Sequence, residues 1–123
     1  PPGTRLLEAW AESLPLEDGA FDSVVSASAL HYFRQPSFAL TEMTRVLRPG
    51  GELVITDWCA DYLACRICDW WLRRFSRAHV KAYRRRELRR MLERAGYPRA
   101  RIDRYRVRWF WGMMTAMAVR DAP

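Results

Sequence analysis

The sequence predicts an α/β protein: part of a doubly wound sheet, closed at its C-terminal end by an antiparallel strand pair. Three observations predict it. Residues 21–29 (FDSVVSASA) are small or apolar at nearly every position, whereas a strand with one solvated face would alternate. The same stretch is followed by a helix, a Gly-rich stop and a second strand, which together make a βαβ unit, expected to be right-handed. Near the end of the chain, residues 101–107 (RIDRYRV) alternate and residues 109–119 form another strand candidate.

Each element has a local reason. Residues 4–10 (TRLLEAW) are short, partly apolar and compatible with a first strand. Leu14-Pro15-Leu16-Glu17-Asp18-Gly19 reads as a loop, because proline and Asp-Gly interrupt either regular structure. Residues 21–29 are expected to be a buried parallel strand. Pro36 suits a first helical position, where its missing N–H is no loss. Leu40, Met43 and Leu47 then mark one helix face. Arg48-Pro49-Gly50-Gly51 ends that helix, and residues 52–57 (ELVITD) form the next strand. Residues 61–77 read as a helix with Leu63, Ile67, Trp70, Trp71 and Phe75 along one side. Residues 86–95 are a second amphipathic helix carrying Leu88, Met91, Leu92 and Ala95, with Gly96 placed as its C-terminal glycine. The last two strands turn around Arg108, and Gly112 weakens the second of them.

The chain of 123 residues, half of them hydrophobic and 28% charged, fits one globular domain and excludes a disordered polymer. The longest nearly apolar run, residues 109–119, is well short of the roughly 20 residues a membrane-spanning helix needs. No secretory leader is visible. Three cysteines are an odd count that does not suit a secreted disulfide scaffold, so a reducing, cytoplasmic compartment is expected.

The net charge of +7 conceals a division. Residues 1–65 hold four Arg against nine acidic residues, whereas residues 66–108 hold sixteen basic residues against four acidic ones. A near-neutral scaffold and a cationic surface are the reading, a solvated helix face being the plain alternative for the basic block.

In an open α/β sheet, ligands bind beyond the carboxyl ends of the strands. Those ends deliver Trp10, Ala11 and Glu12 from the first strand, Ser26, Ser28 and His31 from the second, and Thr56, Asp57 and Trp58 from the third. These residues are expected to line one cleft. His31 is the candidate general base, since its ordinary pKa lies near neutrality; a histidine that packs or hydrogen-bonds at a strand end is the alternative. Asp57 orients substrate or a cofactor ammonium, or caps the next helix. Glu42 and Arg45, three apart on the crossover helix, read as a surface pair. Cys59, Cys65, Cys68 and His79 suggest a tetrahedral zinc site. The cysteines fall in a helical, Trp-rich stretch without a common zinc spacing, so packing thiols and no metal are expected.

Ala11-Glu12-Ser13-Leu14-Pro15, Asp18-Gly19-Ala20-Phe21-Asp22, Leu30-His31-Tyr32 and Arg45-Val46-Leu47-Arg48-Pro49-Gly50-Gly51 stand in an order and spacing that resembles the class I S-adenosylmethionine-dependent methyltransferases, in the small-molecule branch called type 11. The resemblance covers residues 4–58, and Glu87-Leu88 to Ala95-Gly96-Tyr97 is similar to that family's helix before its last two strands. It implies a Rossmann-like sheet, S-adenosylmethionine as cofactor, and a small-molecule methyl acceptor. Ala11 and Glu12 inherit a place against the adenine, and Trp10 stands where an aspartate often holds the adenine amine, so an indole would stack there instead. Ser26, Ser28 and His31 border the methionine moiety and substrate; His31, Asp57 and Trp58 are the substrate-side residues.

The family's glycine-rich loop and its ribose-binding acid have no counterpart in these residues. The chain therefore reads as one truncated methyltransferase domain over residues 1–123, with residues 59–100 its variable helical, Arg- and Trp-rich segment. That segment is expected to lie over an apolar or anionic acceptor. An Arg-rich module for nucleic acid or an anionic surface, or an inactive fragment, are the alternatives; nucleic acid is not the expected partner.

Overall fold

Leu47, Leu53 and Ile55 are buried together with Met114 and Ala116, and the ladder that aligns them is the spine of the structure. The computed structural model describes residues 3–78 and 81–121. Four strands lie in the order β1-β2-β4-β3: β1 (Phe21–Ala27), β2 (Leu47–Trp58), β3 (Arg101–Val107) and β4 (Trp111–Val119). β1 and β2 are parallel, with Val25 opposite Val54. β4 is antiparallel to both β2 and β3, as the alternating terminal segments predict.

The crossover from β1 to β2 is α1 (Pro36–Val46), which buries Ala39, Leu40, Met43 and Val46. Pro36 occupies the first turn as expected. The chain leaves the helix at Leu47 and turns at once into β2. There Gly51 is required by space: a Cβ would lie 2.6 Å from Leu47 Cδ1 and 2.9 Å from Asp22 O. Arg120, just after β4, donates to the carbonyls of Thr44 (2.8 Å) and Leu47, satisfying acceptors that the helix end leaves open.

After β2 come α2 (Leu63–Phe75) and α3 (Arg85–Arg94). Leu88 and Leu92 of α3 pack with Leu40, Met43 and Ile102. Side chains of this size contribute about 1.5–3 kcal/mol each when fully buried. Glu87 accepts the Arg84 backbone N–H (3.0 Å) at the start of α3 and pairs with Lys81 (2.5 Å). Gly96 takes φ +98° directly after α3, the left-handed stop expected there. Gly112 does not break β4. Its missing side chain makes room for the Tyr62 ring, which an added Cβ would approach to 1.9 Å.

Three expectations are corrected. Residues 4–10 form no strand; Trp10 makes a single bridge to Ser13, because no described strand lies beside them to complete a ladder. β1 is parallel but not buried: it is a rim strand, ends at Ala27, and turns Val25 outward at 64% exposure while Ser26 faces in. The apolar side of α2 also points outward, with Cys65 its buried residue, so core packing does not account for its tryptophans. Among the described residues, no helix is long and apolar enough to cross a membrane.

Candidate functional site

The loop carrying the first motif is held by α1. Arg45 donates to Leu16 O (2.7 Å), Asp18 Oδ1 (2.7 Å) and Leu14 O (3.0 Å) and pairs with Glu42, whose Oε1 accepts the Leu14 N–H at 3.0 Å. The pair expected at the surface is thus a buckle between α1 and residues 14–18. The Arg45 hydrogen bond, with help from the Leu14 N–H, holds the Glu42 carboxyl below its ordinary range, and the Arg45 guanidinium is raised in turn. Asp22, at the start of β1, is similarly tied to Arg48 Nε (2.6 Å).

This buckle shapes two adjoining hollows. One, of about 840 Å³, lies against β1 and is lined by Leu6, Leu7, Ala11, Val25, Ser26 and Phe33 among others. The other, of about 750 Å³, is lined by Trp10, Ala11, Glu12, Tyr32 and Phe33 among others. Ala11 belongs to both. Ser26 is among the residues lining the larger, mostly apolar hollow, and its hydroxyl is buried with no hydrogen-bond partner among the described residues.

Past the end of β1, Ser28 adopts φ +52°, unusual for a residue with a side chain, and its N–H bonds Thr56 O at 2.7 Å. The chain then makes one 3₁₀ turn, Leu30–Tyr32. That turn drives His31 inward against the carboxyl end of β2. His31 Nδ1 lies 2.6 Å from Asp57 Oδ1, and the His31 backbone N–H reaches Asp57 Oδ2 at 3.2 Å. The Trp58 N–H donates to Oδ1 at 2.7 Å. Imidazole and carboxylate are each only 2% exposed. The imidazole stacks on Trp58 (centroids 4.3 Å apart, planes at 15°), Tyr32 lies 4.1 Å from it, and Trp111 meets Trp58 edge-on at 5.0 Å. Lys81 N–H donates to the His31 carbonyl at 3.2 Å, tying this turn to the segment before α3.

The residues expected in one cleft are therefore divided. Ala11 and Ser26 share the larger hollow, Trp10, Ala11 and Glu12 the smaller, and His31, Asp57 and Trp58 form a closed cluster beside them. Ser28 is exposed and lines neither hollow. The division arises because His31 and Asp57 satisfy each other: a buried carboxylate needs donors, and three of them converge on it. Asp57 is consequently no helix cap, since its acceptors are turned toward His31 and Trp58. Sequence reasoning did not single out Tyr32, which lines the hollow on one side and touches the imidazole on the other; its place beside His31 in Leu30-His31-Tyr32 was the available signal. Trp111 also escaped notice, because only the β2–β4 register brings it to Trp58.

Cys59 and Cys65 are buried, and Cys65 Sγ donates to Gly112 O at 3.2 Å. Burial raises both thiol pKa values. Among the described residues no group of three or more His, Cys, Asp or Glu could hold a metal ion; His79, named with the cysteines above, lies outside them.

An S-adenosyl nucleoside can be tested against this donor set. The mostly apolar walls suit a purine face, and Ser26 is a buried hydroxyl in the same wall without a hydrogen-bond partner among the described residues. The residues present fit one side of such a molecule. No acid stands ready for a ribose in the larger hollow, and no glycine-rich loop lies among the described residues.

Comparison with known proteins agrees with the motif spacing. Residues 1–55 match the methyltransferase domain family. The chain is 49% identical over 53 residues to a demethylmenaquinone methyltransferase of Thermus thermophilus, covering 43% of this chain and 24% of that protein. It is 46% identical over 56 residues to a phthiotriol/phenolphthiotriol dimycocerosates methyltransferase of Mycobacterium ulcerans, covering 46% of this chain and 21% of that protein. These matches thus span a quarter or less of the curated relatives' length. Among solved structures, a SAM-dependent methyltransferase of Thermotoga maritima, described as a possible histamine N-methyltransferase, superposes with TM-score 0.81 over 97% of this chain and 65% of its own, at 18% identity. At that identity the likeness is one of fold.

Proposed function

We propose, from the match of residues 1–55 to the methyltransferase domain family and from a sheet folded like those of S-adenosylmethionine-dependent methyltransferases, that the chain is the C-terminal part of an enzyme that methylates a small molecule. The observation that carries the reading is the mostly apolar hollow against β1, which Ala11 and Ser26 line together. In the proposal, S-adenosylmethionine supplies an electrophilic methyl group. Ala11, Glu12 and Trp10 lie against its nucleoside and Ser26 borders its amino-acid end; Ser28, expected there too, lines neither hollow.

Methyl transfer from a sulfonium is an in-line displacement, which needs alignment and exclusion of water more than acid–base power. Tyr32, Trp58 and Trp111 serve that exclusion. Where the acceptor must lose a proton, His31 takes it. Asp57 holds hydrogen on Nδ1 and so makes Nε2 the basic nitrogen. At 2% exposure the imidazole meets an acceptor only once Tyr32 or Trp58 swings aside.

The proposal extends to organisation. Residues 1–123 are one domain in which residues 59–100 vary and shape the acceptor site for an apolar or anionic molecule. The free cysteines suit the reducing cytoplasm, and nucleic acid is not the partner.

Titration calorimetry of the full-length protein with S-adenosylhomocysteine tests the reading. Binding in the micromolar range is expected, on the order of −8 kcal/mol, and Ala11→Trp should weaken it at least tenfold by filling the hollow. Absence of heat with folded full-length protein would overturn the proposal.

A further inference from the structure

The outward face of α2 lines neither of the two hollows beside β1, which leave it unexplained. Leu63, Ile67, Trp70, Trp71 and Phe75 follow one another at helical spacing and are each 54–65% exposed. Monomeric surfaces seldom keep a contiguous apolar stripe of this kind uncovered. Cations edge it. Arg66 and Arg73 stand along one side, Arg74 lies within it with its guanidinium 5.9 Å from the Phe75 ring centre, and Arg77 follows the helix. Arg66 and Arg74 have no carboxylate ion-pair partner among the described residues.

Beside the stripe lies a hollow of about 700 Å³ between α2 and the start of α3. Trp70 supplies its apolar rim, and five cations (Arg66, Arg73, Arg74, Lys81 and Arg84) outnumber its two carboxylates, Asp69 paired with Arg73 at 3.8 Å and Glu87 with Lys81 at 2.5 Å. A second apolar point stands near the other end of the helix. There Tyr62, which precedes α2, packs on Gly112 and lies 5.4 Å under Arg106, and the β3–β4 turn between those two residues carries the exposed Trp109 and Phe110.

An apolar helical stripe bordered by arginines, with tryptophan at its centre, suits the boundary between lipid headgroups and acyl chains. The basic hollow suits an anionic headgroup there. Nucleic acid would use the arginines and rings but gains nothing from Leu63 and Ile67, which have no face for a base. A second copy of the same patch would be repelled by its own charge. We propose that α2 and the hollow beside it form a docking surface for an anionic phospholipid bilayer, on which the protein lies without crossing it.

The test is co-sedimentation of the full-length protein with vesicles of phosphatidylcholine alone and of phosphatidylcholine mixed with phosphatidylglycerol. Partitioning should be about tenfold or more stronger on the anionic vesicles and should fall as salt rises from about 0.1 M to about 0.5 M. The exposed pairs Trp70→Ser/Trp71→Ser and Arg73→Ser/Arg74→Ser should each reduce it at least tenfold with unchanged circular dichroism. As a check independent of variants, brominated acyl chains should quench the tryptophan fluorescence of the unaltered protein. Equal binding to both vesicle types, indifference to both double substitutions, lack of quenching, or binding to RNA or DNA without binding to vesicles would each overturn the proposal. None of these readouts involves a methyl donor, so the outcome stands apart from that of the cofactor titration.

Discussion

Replacing Asp57 tests the site at its centre. The carboxylate accepts the His31 Nδ1–H at 2.6 Å, the His31 N–H at 3.2 Å and the Trp58 N–H at 2.7 Å, in surroundings 2% exposed. Asp57→Ala leaves these donors facing a space without acceptors. An unsatisfied buried donor costs about 1–3 kcal/mol, and three donors lose their acceptor at once. The expected loss is therefore about 3 kcal/mol or more, a large share of the roughly 5–15 kcal/mol of a typical domain. Asp57→Asn preserves the shape but puts an amide N–H against one donor, for a loss of about 1–3 kcal/mol. Urea unfolding at neutral pH of Asp57→Ala, His31→Ala and the double variant closes a thermodynamic cycle. A coupling of about 1.5–3 kcal/mol is expected; a value below about 0.5 kcal/mol would refute the claim that these two groups satisfy each other.

Two further outcomes follow from the packing and the buckle. Gly112→Ala drives a methyl group into the Tyr62 ring and should cost about 1–3 kcal/mol by urea unfolding, a cost that disappears when Tyr62 is also Ala. Glu42 is held below its ordinary value of 4.5 by Arg45 and the Leu14 N–H; a group depressed in the folded state stabilises above its unfolded pKa and loses that contribution as pH falls through the folded value. Wild type should therefore lose more stability than Glu42→Gln between about pH 6 and about pH 3, and parallel pH profiles would contradict the buckle.

The βαβ unit was legible because its signals are local. Pro36 opens α1 and Leu40 and Met43 face the core, although Arg48-Pro49-Gly50-Gly51, expected as the helix stop, lies inside β2, which begins at Leu47 directly after the helix. α3 and the terminal hairpin were legible for the same reason. What escaped depends on partners distant in sequence. Residues 4–10 have strand-compatible side chains and no strand beside them among the described residues, and the apolar run of β1 gave no sign that its place in the described sheet would be a rim. The stripe on α2 has the spacing of a core-facing helix, and spacing alone does not say which way it turns. At the site, chain order placed His31 and Asp57 at adjacent strand ends. That they point at each other instead of into a cleft is a matter of charge satisfaction, invisible until the register is known.

The hydrogen bond from Lys81 to the His31 carbonyl links the rim of the cationic hollow to the peptide bearing the imidazole. A headgroup seated on Arg66 beside the Lys81–Glu87 pair would bear on that segment, and an acceptor displacing Tyr32 would bear on its other end. Linkage makes such an effect mutual: whatever factor a lipid surface adds to acceptor affinity, the acceptor returns to surface affinity.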